Sequence, residues 1–259
     1  MNLRKLGLGL VACGCLADMV LAEKNGVYTS FGFQYSQVKT TVSSVGSGFY
    51  RGGVNQFNSI PLSPSVSYGH ANTYGQSNMY GFDLDIGYKV FFGKSKRNGL
   101  RFFAFYDYGY SNPMFNQARY NLNAYGAGMD YLFNFINKED TQVGIFVGFS
   151  LAGNSWNNTG ASSAEVTAKA INDATGLGDG ISMKASTNFS YFQIPIRWGI
   201  RTNISKHQGI EFGMKIPLVR NYYFRSVLTN KKAGSQGVGI NGITFQRSIV
   251  FYANYVINF

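Results

Sequence analysis

Between Met79 and Phe92 the chain alternates with a period of two. Tyr80, Phe82, Leu84, Ile86, Tyr88 and Val90 fall on one face, and Gly81, Asp83, Asp85, Gly87 and Lys89 fall on the other. Such alternation predicts a β-strand. One face is continuously apolar, while the opposite face carries two carboxylates and an ammonium, which a soluble sandwich does not usually bury. The same rhythm predicts seven more strands, at residues 27–37, 100–110, 122–135, 142–152, 188–201, 209–218 and 243–259. The connections are long and short in turn. Long polar segments lie at about 38–78, 153–187 and 219–242, a moderate one at 111–121, and short turns at 93–99, 137–141 and 202–208.

Each strand has roughly the 9–11 residues, or slightly more, that a tilted membrane-crossing strand needs. Long outer loops alternating with short periplasmic turns are the signature of an outer-membrane barrel. The expected fold is therefore all-β, an eight-stranded antiparallel transmembrane β-barrel with both termini on the periplasmic side. The outward aromatics Tyr35, Tyr80, Tyr108, Tyr110, Phe133, Phe135 and Trp198 gather near strand ends, as interfacial girdles do. A soluble barrel with this pattern would expose an apolar patch far above the few hundred Å² that soluble monomers tolerate.

The final strand ends on Phe259, with Ile257, Tyr255, Ala253, Phe251 and Ile249 at alternate positions before it. A soluble protein rarely ends on an aromatic strand, because an unpaired edge invites aggregation. A terminal Phe in this pattern resembles the C-terminal signal of bacterial outer-membrane barrels. Phe251, Tyr255, Ile257 and Phe259 are thus the expected contact with the barrel-assembly machinery. Deleting Phe259, or Phe259→Asp, is expected to impair membrane assembly. Normal yields of heat-modifiable barrel from either variant would count against that role. Carrying the alternation back from Phe259 puts Arg247 on the lipid side, snorkelling to head groups.

Composition fits this reading. The chain has 259 residues, Gly 32, Pro 5, only 14% charged residues and a mean hydropathy of −0.10. No run of 18 apolar residues follows position 25, so no helical membrane anchor is expected there. Residues 1–22 read as a secretory signal peptide: Arg4 and Lys5 precede an apolar run from Leu6, and Val20-Leu21-Ala22 offers a cleavage site. The barrel domain would then be 23–259. Both cysteines, Cys13 and Cys15, lie in this leader, so the mature chain would hold no disulfide. Leu10-Val11-Ala12-Cys13 also resembles a lipoprotein box, and acylation of Cys13 stays open as the alternative to cleavage after Ala22. The formal charge of +11 is spread over turns, loops and strand ends. It favours outer-membrane lipid and lipopolysaccharide as partners over nucleic acid.

Several stretches resemble the outer-membrane protein family of Helicobacter, the Hop family, which includes porins and adhesins. They are residues 91–110 (FFGKSKRNGLRFFAFYDYGY), 123–137 (NAYGAGMDYLFNFIN), 143–156 (VGIFVGFSLAGNSW), 199–224 (GIRTNISKHQGIEFGMKIPLVRNYYF) and the closing FYANYVINF, with KNGVYTSFGFQYS near the mature start. Their order is the family's order. The family's large adhesins carry a bulky domain after the first strand. Here that slot holds about forty residues, 38–78, so the resemblance implies a small, porin-like member.

Ten charged residues are expected to face the lumen: Asp83, Asp85, Lys89, Arg101, Asp107, Asp130, Arg197, Arg201, Glu211 and Lys215. An eight-stranded barrel is just wide enough for side chains to fill, so these charges must pair or be wetted. If the turn after the second strand centres on Lys96, Asp85 comes opposite Asp107, and Lys89 or Lys215 would supply the cation. Two readings stand: a salt-bridge network that holds the barrel, or a polar path for small solutes and ions. Inward glycines either leave room for water or relieve curvature. The expected function is accordingly a small porin-like pore for passive passage of ions and small solutes, or a structural barrel. The alternative is a surface adhesin that grips a host receptor through Tyr50, Arg51, Tyr68, Tyr74, Tyr222 and Tyr223. His70 lies in a loop and His207 in a turn, away from any Ser or Asp of fixed geometry, so no nucleophile–base pair and no enzyme is expected. No Cys/His cluster suggests a metal, and no cofactor is expected.

Overall fold

The computed structural model describes residues 25–45, 70–93, 95–111, 120–137, 141–158, 161–173, 181–230 and 238–259. The strands are β1 (Gly26–Val45), β2 (His70–Phe92), β3 (Asn98–Ser111), β4 (Tyr120–Asn137), β5 (Gln142–Asn158), β6 (Ile181–Thr187), β7 (Ser190–Gln193), β8 (Pro195–Asn203), β9 (Gln208–Pro217), β10 (Asn221–Asn230), β11 (Val238–Arg247) and β12 (Val250–Asn258). One helix, α1 (Ala161–Asn172), lies between β5 and β6. Around the barrel the strand order is β12, β9, β8, β5, β4, β3, β2, β1, and β12 pairs with β1 to close an eight-stranded antiparallel ring. Short breaks divide three of the eight expected staves, giving β6–β7–β8, β9–β10 and β11–β12.

On β1 and β2 the alternation continues without interruption from the membrane into water, but its polarity inverts. In the lower part the outward side chains Phe31, Phe33, Phe82, Leu84, Ile86, Val147, Leu151, Phe212 and Phe251 are exposed, while inward charges are buried. Tyr35, Tyr80 and Tyr110 form one outward row across β1, β2 and β3. Beyond that row the outward positions turn polar, with Gln37, Lys39 and Thr41 on β1 and Asn78 and Gln76 on β2. The inward ones turn apolar: Val38, Met79, Leu122, Trp156, Tyr223 and Phe245 pack in one buried cluster. A wall in lipid is apolar outside, and a wall in water is apolar inside. The inversion therefore marks the edge of the hydrocarbon. From Tyr80 to Phe92 the chain covers ~40 Å along the strand, or roughly 30 Å of height at a tilt of about 40°, the thickness of the hydrocarbon core. From Tyr80 up to His70 it rises about another 25 Å as a water-exposed turret.

This turret revises the expected loops. Residues 38–45 and 70–78 are not loop: β1 and β2 stay paired in unbroken register up to Val45 opposite His70. The connecting segment is 46–69, which lies outside the described residues, as do the leader 1–22 with Cys13. Likewise the expected loop 219–242 contains β10 and part of β11, and 153–187 contains the end of β5, α1 and β6. Within that segment α1 docks by one face. Ala164, Thr167, Ala168 and Ile171 form its buried stripe, the i, i+3, i+4, i+7 pattern of a docked helix. Its last residue, Asn172, accepts from the Ala185 N–H (2.8 Å) and donates to the Ala185 carbonyl (2.9 Å). It thereby occupies the edge of β6 opposite its partner β10, an edge that would otherwise template aggregation.

Two register irregularities move side chains across the wall. Tyr35 pairs with Phe251, and Val38 pairs with Arg247, so three steps on β1 face four on the other stave. The extra residue is a bulge, and it flips everything before it. Arg247 consequently points into the lumen and is buried, donating from Nε to Ser36 Oγ (2.9 Å), rather than facing lipid. Ser248 fastens the bulge: its N–H donates to the Gln37 carbonyl (2.7 Å), and its Oγ accepts from the Gln37 N–H (2.8 Å). The second bulge, between Tyr222 and Phe224 on β10, turns Tyr223 inward.

The lumen as candidate functional site

The inner wall is built from cross-strand pairs of glycine and an aromatic ring. Tyr28 faces Gly87, Phe91 faces Gly99, Phe103 faces Gly128, Phe105 faces Gly126, Phe146 faces Gly199 and Tyr252 faces Gly213. All six rings are buried. A Cβ added at Gly87, Gly99, Gly128, Gly199 or Gly213 would meet the partner ring, so these rings lie against the wall in the space the missing side chain leaves. The glycines here make room for rings rather than for water. At Gly87, Gly126, Gly128 and Gly199 the added Cβ would strike a neighbouring strand's carbonyl oxygen, so the close approach of the backbones requires glycine there as well.

A ring flat on the wall offers its face to the lumen, and a cation sits over each. Lys89 Nζ lies 4.8 Å from the Tyr28 centroid, and Arg101 lies 5.2 Å from Tyr28 and 4.9 Å from Phe146. Arg197 lies 3.5 Å over Phe103, Arg201 5.7 Å from Phe91, and Lys215 4.9 Å from Tyr252 and 5.7 Å from Phe105. These separations fall within the range of cation–π attraction, which strengthens when the cation is desolvated.

The ten lumen charges expected from alternation all point inward and are buried, and Arg247 joins them. Opposite walls are tied by ion pairs. Arg197, on β8, grips Asp130 of β4 with Nε (2.8 Å) and Nη2 (2.6 Å) and reaches Asp85 of β2 with Nη1 (2.8 Å). Arg101, on β3, donates from Nε to Asp130 (2.7 Å) and from Nη1 to Glu211 of β9 (2.6 Å). Arg201 lies 3.9 Å from Glu211. Lys215, on β9, pairs with Asp83 and with Asp107 (2.9 Å), and Arg247 Nη1 lies 3.9 Å from Asp107. Lys89 donates to Asn258 Oδ1 (2.7 Å) at the periplasmic end. The carboxylate opposite Asp107 is Asp83, not Asp85, which faces Phe105. The hairpin from Phe92 to Asn98 centres on Ser95 rather than Lys96, so the pairing slides by two residues and the inward set is preserved. Lys96 instead takes the left-handed backbone conformation, φ 46°, and its N–H bonds the Gly93 carbonyl.

An apolar layer closes the ionic layer above: the Trp156–Phe245–Tyr223 cluster, to which α1 adds Ala164. A second buried cluster, Phe91, Leu132, Phe146 and Tyr252, lies among the charges. Beneath them Asn203 donates to Gln142 in a buried 2.7 Å bond. Alternation alone placed the charges. It did not find the inward aromatics' partners, because those depend on register, nor Arg247, because a bulge is silent in a two-residue period.

The remaining expected site residues lie outside the lumen. Phe251 and Phe259 are exposed, and Tyr255 and Ile257 share their outward face. The terminus is tied down by Phe259 N–H to the Val27 carbonyl (3.0 Å) and Asn258 N–H to the His207 carbonyl (2.9 Å). Of the expected receptor contacts, Tyr50, Arg51 and Tyr68 lie outside the described residues. Tyr74 and Tyr222 are exposed on the turret. Tyr223 is corrected: the β10 bulge buries it against Phe189 and Phe245. Among the described residues no group of three metal-ligating side chains gathers.

The chain is similar to two solved structures from Pseudomonas aeruginosa. The outer membrane protein OprG matches with 10% identity over 92% of this chain and 97% of that one, at a TM-score of 0.38. A FadL homologue matches with 6% identity over 90% of each chain, at a TM-score of 0.23. No curated protein matches the sequence. The family model described as Helicobacter outer membrane protein matches residues 83–259, most of the chain, with six of the eight staves and the lower part of a seventh. Together with the closed barrel and its lipid-facing band, this match places the chain in the Helicobacter outer membrane protein family, as an integral β-barrel of the outer membrane.

Proposed function

We propose that this barrel is a sealed structural anchor that holds its turret above the outer membrane, and that its resting lumen does not conduct. The observation that supports this reading is burial: none of the lumen charges is more than 5% exposed, and an apolar cluster closes the lumen above them. A permanently wetted pore would leave such groups accessible. The turret then carries the contact with the outside, and a host receptor is the partner this reading admits.

The pore reading keeps one observation of its own. Asp85 Oδ1, Arg101 Nη2, Tyr252 Oη and Asn254 Oδ1 are buried without a hydrogen-bond partner, and these are the groups that water entering the lumen would satisfy. Planar-bilayer recording separates the two. The refolded wild-type protein is expected to insert without discrete conductance steps. Steps of uniform size over many insertions would overturn the sealed-anchor reading, and their cation/anion ratio would characterise the path.

A further inference from the structure

The turret's outer face carries a charge pattern that the lumen does not explain. Its strand segments, residues 36–45, 70–79, 181–187, 221–230 and 238–247, contain no Asp or Glu. Their basic side chains of described position are Lys39, Lys184, Arg225 and Arg247, of which Arg247 points inward. The other three face outward on β1, β6 and β10, strands joined in one sheet through β11. Arg225 pairs with Ser186 and Lys184 with Val227, so the two cations are diagonal neighbours on adjacent strands, ~7–8 Å apart at the backbone. Both border an open depression of about 640 Å³ that Asn172, Ala185, Ser186 and Val227 help to line.

Height and company point to the ligand. Lys39 lies four residues above Tyr35, about 10 Å over the edge of the hydrocarbon, in the layer that lipid head groups occupy. Each flank is aromatic: Lys39 sits 4.9 Å from the Tyr74 centroid and Arg225 5.7 Å from Tyr222. Tyr74, Thr41, Thr244 and Tyr222 run in one lateral row between the cations, giving hydroxyl donors and flat ring faces of the kind that contact sugar rings. Strand segments that offer cations, hydroxyls and rings but no carboxylate complement a phosphorylated sugar, and the nearest exposed carboxylates belong to Glu165 on α1 and Asp173 just after it.

We propose that Lys39, Lys184 and Arg225, with Tyr74 and Tyr222, form a binding face for the phosphorylated glycolipid of the outer leaflet, lipopolysaccharide. The cations hold the head-group phosphates, the tyrosines lie against its sugars, and the acyl chains run down the band below Tyr35 and Phe251. The site does not depend on whether the lumen conducts.

The test uses the full barrel refolded in detergent and titrated with bisphosphorylated lipid A, with bound lipid counted by native mass spectrometry. The variant carrying Lys39→Gln, Lys184→Gln and Arg225→Gln is expected to bind about 100-fold more weakly. Lys96→Gln with Arg97→Gln, at the periplasmic turn, is expected to bind as the wild type does. Heat-modifiable migration checks that each variant is folded, and Arg225→Gln alone serves if the triple variant is not. Undiminished binding by the folded charge variants would overturn the proposal. So would equal binding of the dephosphorylated glycolipid, or displacement by inorganic phosphate at matched concentration, which would assign the site to a free anion.

Discussion

Arg197→Met should destabilise the barrel by about 3–5 kcal/mol, the usual cost of removing one partner from a buried ion pair. Arg197 is the only side chain hydrogen-bonded to the Asp85 carboxylate among the described residues, while Asp130 keeps Arg101 when Arg197 is lost. The damage should therefore concentrate at Asp85, which is 2% exposed and has no other cation in contact. Asp85→Asn in the Arg197→Met background should recover much of the loss, because it neutralises the orphaned carboxylate. Arg197→Lys should recover little: an ammonium cannot grip both oxygens of Asp130 while reaching Asp85 across the lumen. Urea unfolding of the barrel in lipid vesicles reads all three. A loss under about 1 kcal/mol for Arg197→Met would mean that water already carries these charges, and with it the braced-lumen account would fall.

The parts of this fold legible in the sequence are those that depend only on period. Eight staves, the lipid-facing set and ten inward charges follow from alternation, since a strand's two faces are set by counting. The turret was hidden by a change of solvent. From Gln37 to Val45 the chain still alternates, yet its outward residues become polar and its inward ones apolar, and the rule that picks strands in lipid reads such a stretch as loop. Arg247 and Tyr223 were hidden differently. Each sits beside a one-residue bulge, and a two-residue period cannot reveal where an extra residue is spent. The pairing of Asp107 with Asp83 was missed by two positions. That error kept every side chain on its correct face, and only turn geometry at Gly93 and Lys96 could have removed it.

The glycine–ring pairs make the sharpest demand on the wall, and two of them should fail in opposite ways. At Gly213 the three nearest atoms to an added Cβ all belong to the Tyr252 side chain. Gly213→Ala should thus cost about 1–3 kcal/mol by overpacking, and Tyr252→Ala in the same chain should remove most of that cost, so the double variant is more stable than the two single losses imply. At Gly87 the first atom met is the Phe102 carbonyl oxygen, with the Tyr28 ring only second. Gly87→Ala should cost at least as much, and Tyr28→Ala should give no rescue, because a backbone carbonyl held in the β2–β3 ladder cannot step aside. The two double-variant cycles, read by urea unfolding in vesicles, separate glycine kept for a ring from glycine kept for close backbone approach. Equal coupling in both would mean that the rings do not rest on the wall. The cations over them would then owe their positions to the carboxylates alone, and truncating Tyr252 would leave the Lys215 pairs with Asp83 and Asp107 undisturbed.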